Sequence, residues 1–534
     1  MKKIFLRFIL LAAVGFMAVG CEKKVNDWDI DPSHDRLFKS LVFEVVKAEA
    51  TTVELKYTKA VSANKYIFEF SKDNLEFNEI VKTVEILADT LTPYSASPTP
   101  TKVEYRTIFE ELDGTTGYSV RMKSVDTISR TESKYSQVYF ETAAEQLFTK
   151  WDVFTDRINI FWTPTDRVTH VTVFDAATDE EIQKRTLTPA EISEGNIALV
   201  DLSAGTNYKI VIYNNEVERG TKVLKTSGLQ GGIIINVNPG DDIPAMVSNA
   251  ISQGKPNVTL MFKGGETYDL GTLILPAGLS NVSFTGENDI SGTAGLPALL
   301  NLKEVRLSDA IFGKLIFEKV VLTGGTGDYL INLATDGVEI EEYNFSNCFI
   351  FNYRGTVRVQ NKNIKLKKIS FDNNRFQNTG DYGIVNIGGA TPAVDSISFK
   401  NSTMREMASQ LMDVRSKVKG ITITNCTIYN QTKALTQLVR LDKNNLPSTF
   451  EAFNNIISGS NNGTQLKAFS LTYDGSFAGS YRTNEMSIGQ EFPNITVFQG
   501  SAEDLFVDPA NGNFRVKSES GFGGRGTAGD PRWF

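Results

Sequence analysis

Histidine and cysteine are scarce in this sequence. Among 534 residues there are two histidines, His34 and His170, and three cysteines. No group of them has the spacing of a zinc site, and neither a P-loop nor a nucleophile elbow occurs. The sequence therefore lacks the usual local signatures of zinc-dependent, nucleotide-dependent and serine-hydrolase enzymes.

Positive charge is also in short supply. The net charge is −8, from 55 Lys and Arg against 63 Asp and Glu. A nucleic-acid-binding domain is expected to be basic or to carry a basic stripe, so we expect no nucleic-acid partner. The hydrophobic content of 41% is ample for folded structure, and the length predicts roughly three domains.

The N-terminus has the parts of a secretory signal. Basic residues near the start precede an apolar run at 8–20, which is too short to span a bilayer. The run ends in Ala-Val-Gly-Cys, which resembles a bacterial lipobox with alanine at its first position. The resemblance implies a signal peptide at 1–20, lipidation of Cys21 and an outer-membrane anchor on the cell exterior; simple secretion is the alternative. An acidic tether is expected at 21–35.

Two stretches share the pattern L-x-x-x-T-x-Y, at 112–118 and 202–208. Each leads into a strand with alternating apolar residues. A tyrosine that opens a late strand and bonds back to the backbone is typical of immunoglobulin-like sandwiches. The pattern resembles fibronectin type III domains, which we place at 36–143 and 146–227. Their expected role is that of spacers.

A repeat dominates the second half of the chain. Five segments of alternating residues carry asparagine at the same place, at intervals of 24 to 29 residues, and these residues are Asn347, Asn373, Asn401, Asn425 and Asn454. Such a period predicts a solenoid. A corner asparagine can adopt the left-handed conformation and bond to its neighbours in adjacent coils. We therefore predict a structural asparagine ladder.

The region 231–534 resembles pectate-lyase-like right-handed parallel β-helices. The resemblance rests on a strand at 233–237, an amphipathic helix suited to cap the first coil, the segment VTLMFKGGETYDLGTLIL and the repeat. The C-terminal segment resembles the end of surface β-helix lipoproteins encoded with polysaccharide-uptake systems, and its aromatic residues are expected to cover the last coil. The predicted fold is all-β, with two immunoglobulin-like sandwiches followed by this β-helix.

The third strand of each coil lines the substrate groove in pectate-lyase-like proteins. Aligning the inward apolar residues predicts two outward rows. One row is Asn301, Asn332, Arg358, Asn386, Asp413, Arg440 and Thr472. The other is Lys303, Ala334, Gln360, Gly388, Arg415, Asp442 and Asp474. Amides, guanidinium groups and rings suit sugars, so the predicted substrate-binding residues are Arg358, Gln360, Asn386, Asp413, Tyr353 and Tyr382.

Cleavage of the glycan is the alternative to binding. A polysaccharide lyase needs a base, for which Arg415 and Arg440 are candidates, and often Ca²⁺, for which Asp413, Asp442 and Asp474 are candidate ligands. Yet each arginine neighbours an aspartate in its row, and surface ion pairs of this kind contribute only about 0–1 kcal/mol and arise structurally.

Binding is therefore the favoured hypothesis. The sequence predicts a surface lipoprotein that binds an acidic, pectin-like extracellular polysaccharide, with outer-membrane glycan-uptake proteins as partners. A lyase that acts on the same groove, with Ca²⁺ as a cofactor, is the first alternative. A structural or adhesive β-helix without a glycan site is the second.

Overall fold

The computed structural model describes residues 36–94, 103–292, 295–490 and 492–534. The predicted signal peptide, Cys21 and the tether lie outside these ranges. Within them, no helix is both long enough and apolar enough to cross a membrane.

Two β-sandwiches form the N-terminal part of the described chain. The strands of the first are β1 Phe43–Ala48, β2 Val53–Thr58, β3 Lys65–Ser71, β4 Lys82–Leu87, β5 Glu104–Phe109, β6 Gly117–Asp126, β7 Thr131–Glu132 and β8 Ser136–Glu141. Those of the second are β9 Phe148–Val153, β10 Ile158–Trp162, β11 His170–Asp175, β12 Glu181–Thr186, β13 Asn196–Leu199, β14 Asn207–Asn214 and β15 Val217–Lys225, with helix α1 Pro189–Glu194.

Each sandwich has the sheet pairing of a fibronectin type III domain. In the first, sheet β1-β2-β5 accompanies sheet β4-β3-β6, with β7 and β8 paired to β6. In the second, the sheets are β13-β10-β9 and β12-β11-β14-β15. The hydroxyl of Tyr118 accepts the backbone N–H of Asp113 at 3.0 Å, and that of Tyr208 accepts the N–H of Ser203 at 2.9 Å. Both tyrosines thus make the backbone contact that the sequence predicts.

The remainder of the chain forms a parallel β-helix of about 9 turns. Its strands are β16 Ile233–Val237, β17 Asn257–Phe262, β18 Thr267–Leu275, β19 Asn281–Gly286, β20 Ala298–Leu307, β21 Ile311–Glu318, β22 Val320–Thr323, β23 Tyr329–Leu333, β24 Val338–Ser346, β25 Phe349–Phe351, β26 Gly355–Val359, β27 Ile364–Asp372, β28 Arg375–Thr379, β29 Gly383–Ile387, β30 Ala393–Lys400, β31 Thr403–Met407, β32 Ser409–Val414, β33 Val418–Thr424, β34 Thr427–Tyr429, β35 Leu435–Leu441, β36 Thr449–Phe453, β37 Ile456–Ser458, β38 Leu466–Phe469, β39 Tyr481–Thr483, β40 Ile488–Gln490 and β41 Thr496–Phe498. The C-terminal segment adds a separate antiparallel pair, β42 Phe506–Asp508 and β43 Asn513–Val516. The helices are α2 Ile243–Ser252 and α3 Ala502–Leu505.

Each coil has three sides. The first side is the sheet β16-β17-β19-β21-β24-β27-β30-β33-β36, in which all neighbours are parallel. The second side includes β22, β25, β28, β31, β34 and β37, and the third includes β23, β26, β29, β32, β35 and β38. Strands stack directly on the equivalent strand of the next coil, so residues one repeat apart become neighbours.

A column of phenylalanine rings fills the core behind the first side. Phe284, Phe317, Phe345, Phe371 and Phe399 are buried, and successive rings stack with centroids 4.7 to 5.2 Å apart. These distances match the spacing of adjacent strands, so each coil adds one ring to the column. The apolar residue at this position of each repeat is what drives the coils to stack.

The five repeat asparagines lie at the corner between the first and second sides. All five have positive φ, between 49° and 57°, as the left-handed prediction requires. The backbone N–H of Asn347 donates to Asp372 O at 3.0 Å, and that of Asn373 donates to Lys400 O at 3.1 Å. The corner backbones therefore bond from coil to coil.

Inner asparagines that follow two of the repeat asparagines, Asn374 and Asn455, also bond between coils through their side chains. Asn374 accepts the N–H of Cys348 at 2.8 Å, and Asn455 accepts the N–H of Cys426 at 2.9 Å. Asn455 also donates to Ile423 O at 2.9 Å. Left-handed geometry turns the corner side chain outward, and the next side chain then points inward to satisfy the backbone of its neighbour.

The two ends of the β-helix are covered differently. Helix α2 begins after Asp242, whose side chain accepts the N–H of Ala245, and it buries Val247 against the first coils. The C-terminal segment instead packs along the second side, where Phe514 contacts Tyr429 and Trp533 donates to Thr403. The expectation that these aromatic residues cover the last coil is therefore wrong.

Contacts of the second sandwich fix it to the β-helix. In the linker that follows the sandwich, the N–H of Gly228 donates to Glu318 at 3.0 Å, and the N–H of Leu229 donates to Thr259 Oγ1 at 3.1 Å. The ammonium group of Lys319 donates to the carbonyl of Val153 in β9. The second sandwich is thus bonded to the first side and its corner rather than tethered by the linker alone.

We predict that the inner ladder contributes more stability than the outer corner asparagines. Asn455→Ala leaves a buried N–H and a buried carbonyl without a partner, so we expect a loss of about 2–4 kcal/mol. In Asn425→Ala, alanine must take the left-handed conformation without the side-chain amide of asparagine. This change should lower the free energy of unfolding by about 1 kcal/mol. Urea unfolding followed by circular dichroism measures both.

Asn425→Gly is the matched control, because glycine adopts positive φ without strain. It should stay within about 0.5 kcal/mol of the wild type if the corner needs only its conformation. A loss in Asn425→Gly as large as that in Asn455→Ala would contradict this assignment.

Candidate functional site

Neighbouring coils of the third side stack the residues of the predicted outward row on one another, although Asn386 and Asp413 in that row are buried rather than exposed. Strand pairing places Asn332 beside Arg358, Arg358 beside Asn386, Asn386 beside Asp413, and Asp413 beside Arg440. The interior of the predicted row is therefore confirmed residue by residue.

Both ends of that row differ from the prediction. Asn301 pairs with Thr323 on the second side, because β20 bends from the second side to the third. At the other end Val439 pairs with Phe469, which puts Ser470 rather than Thr472 next to Arg440. At this end the predicted register is wrong by two residues. A shift of two residues keeps the same side chains facing inward, so the apolar alternation does not distinguish the two registers.

Asp413 is the buried centre of a charged group. Its side chain is 3% exposed and accepts the amide of Asn386 at 3.1 Å. Arg415 Nε lies 3.2 Å from one carboxylate oxygen, and Arg440 Nη1 lies 3.6 Å from the other. Both candidate bases are thus held by the same aspartate, and the predicted pairing of Arg415 with Asp442 is not formed.

Burial is the dominant influence on the Asp413 carboxyl. Loss of solvent raises the pKa of Asp413, while Arg415 and Arg440 act in the opposite direction. Neither arginine is available as a general base, because guanidinium beside a carboxylate stays protonated.

The candidate metal ligands do not come together. Asp442 accepts the N–H of Asn444 at 2.8 Å, as in an ordinary turn, and Asp474 lies beyond the end of β38. In the described ranges, no group of three or more His, Cys, Asp or Glu residues is placed to hold a metal ion. Calcium prefers six or more oxygen ligands, and these aspartates do not fit it.

A cluster of arginine and tyrosine lies at the start of the third-side strands. It consists of Tyr329, Arg354, Arg358, Asp381 and Tyr382, which we call the arginine–tyrosine cluster. The guanidinium of Arg358 lies 4.9 Å and 5.0 Å from the ring centroids of Tyr329 and Tyr382. Those two rings meet edge to face at 5.3 Å. Both rings thus make cation–π contacts with the Arg358 guanidinium.

Arg354 differs from Arg358 in having a carboxylate partner. Its Nε and Nη2 donate to the two oxygens of Asp381 at 2.9 and 3.2 Å. This bidentate bond lowers the pKa of Asp381. Arg358, by contrast, has no ion pair with any residue of the described ranges, and it is the free guanidinium of the face.

Glycine makes the close approach of the two tyrosines possible. Tyr329 pairs with Gly355 in the next coil, and Gly355 pairs with Gly383 in the one after. A Cβ at Gly355 would lie 3.0 Å from Gly383 O and 3.3 Å from the Cβ of Tyr382. Gly355 thus leaves the space that Tyr329 and Tyr382 share above the strands.

Other predicted binding residues have different roles. Tyr353 is 2% exposed and donates to Leu302 O inside the coil, so it is a core residue and cannot stack on a sugar. Asn386 is buried and serves Asp413. Gln360 is half-buried on the third side and donates to Asn332 at 3.1 Å.

Tyr329, Arg354 and Asp381 were missed by the sequence reasoning. Arg354 and Asp381 belong to the loops that enter the third-side strands, whose lengths vary between coils, and Tyr329 is the first residue of β23. The signal that could have found them is the column of Tyr329, Gly355 and Gly383, because a bulky residue followed by glycines in register indicates room for a ring.

Comparisons with known proteins address the fold and leave the site open. A family model described as a domain of unknown function (DUF5123) matches residues 421–533. No curated protein matches the chain. A two-domain fibronectin type III segment of chicken tenascin is 18% identical, with 35% of this chain and 99% of that one covered at a TM-score of 0.22. The FN1–FN3 domains of chicken CNTN1 are 14% identical, with 36% and 66% covered at 0.15.

We predict that wild-type stability falls relative to Asp413→Asn as the pH rises from about 3.8 upward. Because the folded-state pKa of Asp413 is raised above the ordinary 3.8, the folded protein binds the proton more tightly, and its stability decreases as that proton leaves. Urea unfolding at a series of pH values measures the difference. A wild type that gains stability over Asp413→Asn on the same rise would show that the two arginines outweigh burial.

Proposed function

We propose that this protein is a cell-surface lipoprotein whose β-helix binds an acidic extracellular polysaccharide through the third side. The observation that carries the proposal is the free guanidinium of Arg358 between Tyr329 and Tyr382. A uronate carboxylate takes two hydrogen bonds from a guanidinium group, and a sugar ring packs on tyrosine.

The charge balance of the face supports an anionic ligand. Four guanidinium groups, those of Arg354, Arg358, Arg415 and Arg440, accompany three carboxylates, those of Asp381, Asp413 and Asp442. The chain as a whole is acidic at −8, so this face differs in sign from the average surface. Such a local excess favours encounter with an anionic polymer.

The spacing of the arginines suits a polymer rather than a single sugar. Arg358 and Arg440 lie three coils apart in one row, or about 14 Å at the usual strand spacing. A polysaccharide that runs along the row meets Arg358 at one point and the half-exposed Arg440, whose side chain is 49% exposed, at another. Repeated weak contacts of this kind add through avidity.

Binding is favoured over cleavage because both arginines that the sequence offers as bases, Arg415 and Arg440, lie beside the Asp413 carboxylate. The neighbours of Arg358 are aromatic rings and a second arginine, and an arginine does not lose its proton readily. The tether and lipid anchor that the sequence predicts are consistent with capture of a glycan at the cell surface, beside outer-membrane uptake proteins.

We predict that Arg358→Ala weakens binding to polygalacturonate at least tenfold and that Tyr382→Ala weakens it several-fold. Loss of the guanidinium removes the bidentate bond to a carboxylate, which is worth about 1.5–3 kcal/mol. Affinity gel electrophoresis of the full-length protein in detergent measures retardation. Absorbance of unsaturated sugar products in the same mixtures reports lyase activity.

The matched control is Arg515→Ala, an exposed arginine of β43 away from the third side. It should retain wild-type retardation by polygalacturonate, and neutral galactan should retard none of the proteins. Unsaturated product that disappears in Arg358→Ala would favour the lyase instead. Absence of binding to every acidic glycan would favour the adhesive alternative.

A further inference from the structure

A second groove follows the asparagine corner, on a different part of the β-helix from the arginine–tyrosine cluster. We call it the corner groove and define it by Trp151, Lys319, Asn347, Asn373, Arg375 and Arg532. Two cavities of about 240 and 250 Å³ form it, and they adjoin because both are lined by Asn347, Asn373 and Asp289. The sandwich supplies the wall at one end and the C-terminal segment supplies the wall at the other.

The corner row departs from asparagine where the groove begins. Lys319 precedes Asn347 by one coil and takes the same left-handed conformation, with φ of 56°. A lysine in this region is strained by about 1–2 kcal/mol, and strain of this kind is retained where the surroundings fix the residue. Its ammonium group bonds to Val153 and thereby brings β9 and Trp151 over the corner.

The sandwich end of the groove offers an aromatic surface. Trp151 is 36% exposed and lines the same cavity as Asn347 and Asn373. The side-chain amide of Asn347 has no hydrogen bond to any residue of the described ranges. In Asn373 the amide oxygen accepts from Arg532, and the amide N–H₂ donates to no residue of those ranges. An indole ring with nearby free amides is a surface that suits a sugar ring and its hydroxyls.

The far end of the groove has an excess of positive charge. Arg375 and Arg532 line one cavity with a single carboxylate, Asp289. Arg375 forms no ion pair within the described ranges, and its guanidinium lies 4.8 Å from the ring centroid of Phe349. Arg532 Nη1 is buried without a hydrogen-bond partner, since the nearest oxygen of Asp530 is 3.8 Å away.

The second internal anion beside these arginines is Asp530, whose oxygens are already engaged by other groups. Asp530 is buried and already accepts Thr403 Oγ1 at 2.7 Å. Burial lowers the pKa of Arg375, and repulsion from the charge of Arg532 lowers it further, while Asp530 acts in the opposite direction. An external carboxylate would relieve this repulsion and satisfy Arg532 Nη1.

We propose that the corner groove is a second binding site, which takes a short acidic oligosaccharide with its carboxylate on Arg375 and Arg532 and a sugar ring against Trp151. The groove spans the corners of Lys319 and Asn373, two coil spacings or about 10 Å apart. The ligand class follows from the proposed function, but the residues are independent of the third side.

The test is calorimetric titration of the full-length protein in detergent with trigalacturonate. We expect two sites per wild-type chain, one site in Arg375→Ala and one in Arg358→Ala, and none in the double variant. Trp151→Ala should weaken the corner site about tenfold. Arg515→Ala is the control for loss of a surface charge, and the thermal midpoint of each variant checks its folding.

Each outcome decides between the two sites. Unchanged stoichiometry and affinity in Arg375→Ala and Trp151→Ala would overturn the corner site and leave the third side intact. One site lost in Arg375→Ala with no effect of Arg358→Ala would support the corner site and contradict the proposed function. Inorganic phosphate that binds in an Arg375-dependent manner, where trigalacturonate does not, would show a simple anion site and overturn the sugar assignment.

Discussion

Hydrogen bonding between parallel coils is the interaction on which the rest of this structure depends. A strand in the β-helix satisfies its backbone only through the coils before and after it, so each coil must repeat the path of its neighbour. The corner between the first and second sides enforces this path with residues of positive φ. The amides of Asn374 and Asn455 then satisfy the N–H groups that the turn exposes inside.

Stacking in register also creates both candidate sites. In-register stacking of equivalent strands forms the column of phenylalanine rings in the core. The same stacking places Arg358, Asn386 and Asp413 in one row of the third side. Where glycine replaces a side chain in such a row, as at Gly355, aromatic rings fill the space. Both candidate sites therefore lie at departures from the repeat, and the departure at Lys319 is another example.

Much of the architecture could be predicted from the sequence, and the errors have physical causes. The repeat of asparagine predicted the solenoid, and the L-x-x-x-T-x-Y pattern predicted the tyrosine contacts of both sandwiches. Register failed at Thr472, where alternation permits a shift by two residues. Tyr353 was misplaced because loop residues have no periodicity from which burial can be inferred. Pairing of Arg415 with Asp413 depends on side-chain directions that strand alignment does not determine.

A crystal structure of the protein with a short uronate oligosaccharide would test most directly whether Arg358 on the third side binds the glycan. We expect ligand density on the third side, with a carboxylate of the sugar bonded to both terminal nitrogens of Arg358 and a ring against Tyr329 or Tyr382. Density confined to other parts of the molecule, with Arg358 still packed between the two tyrosines and free of ligand, would contradict it.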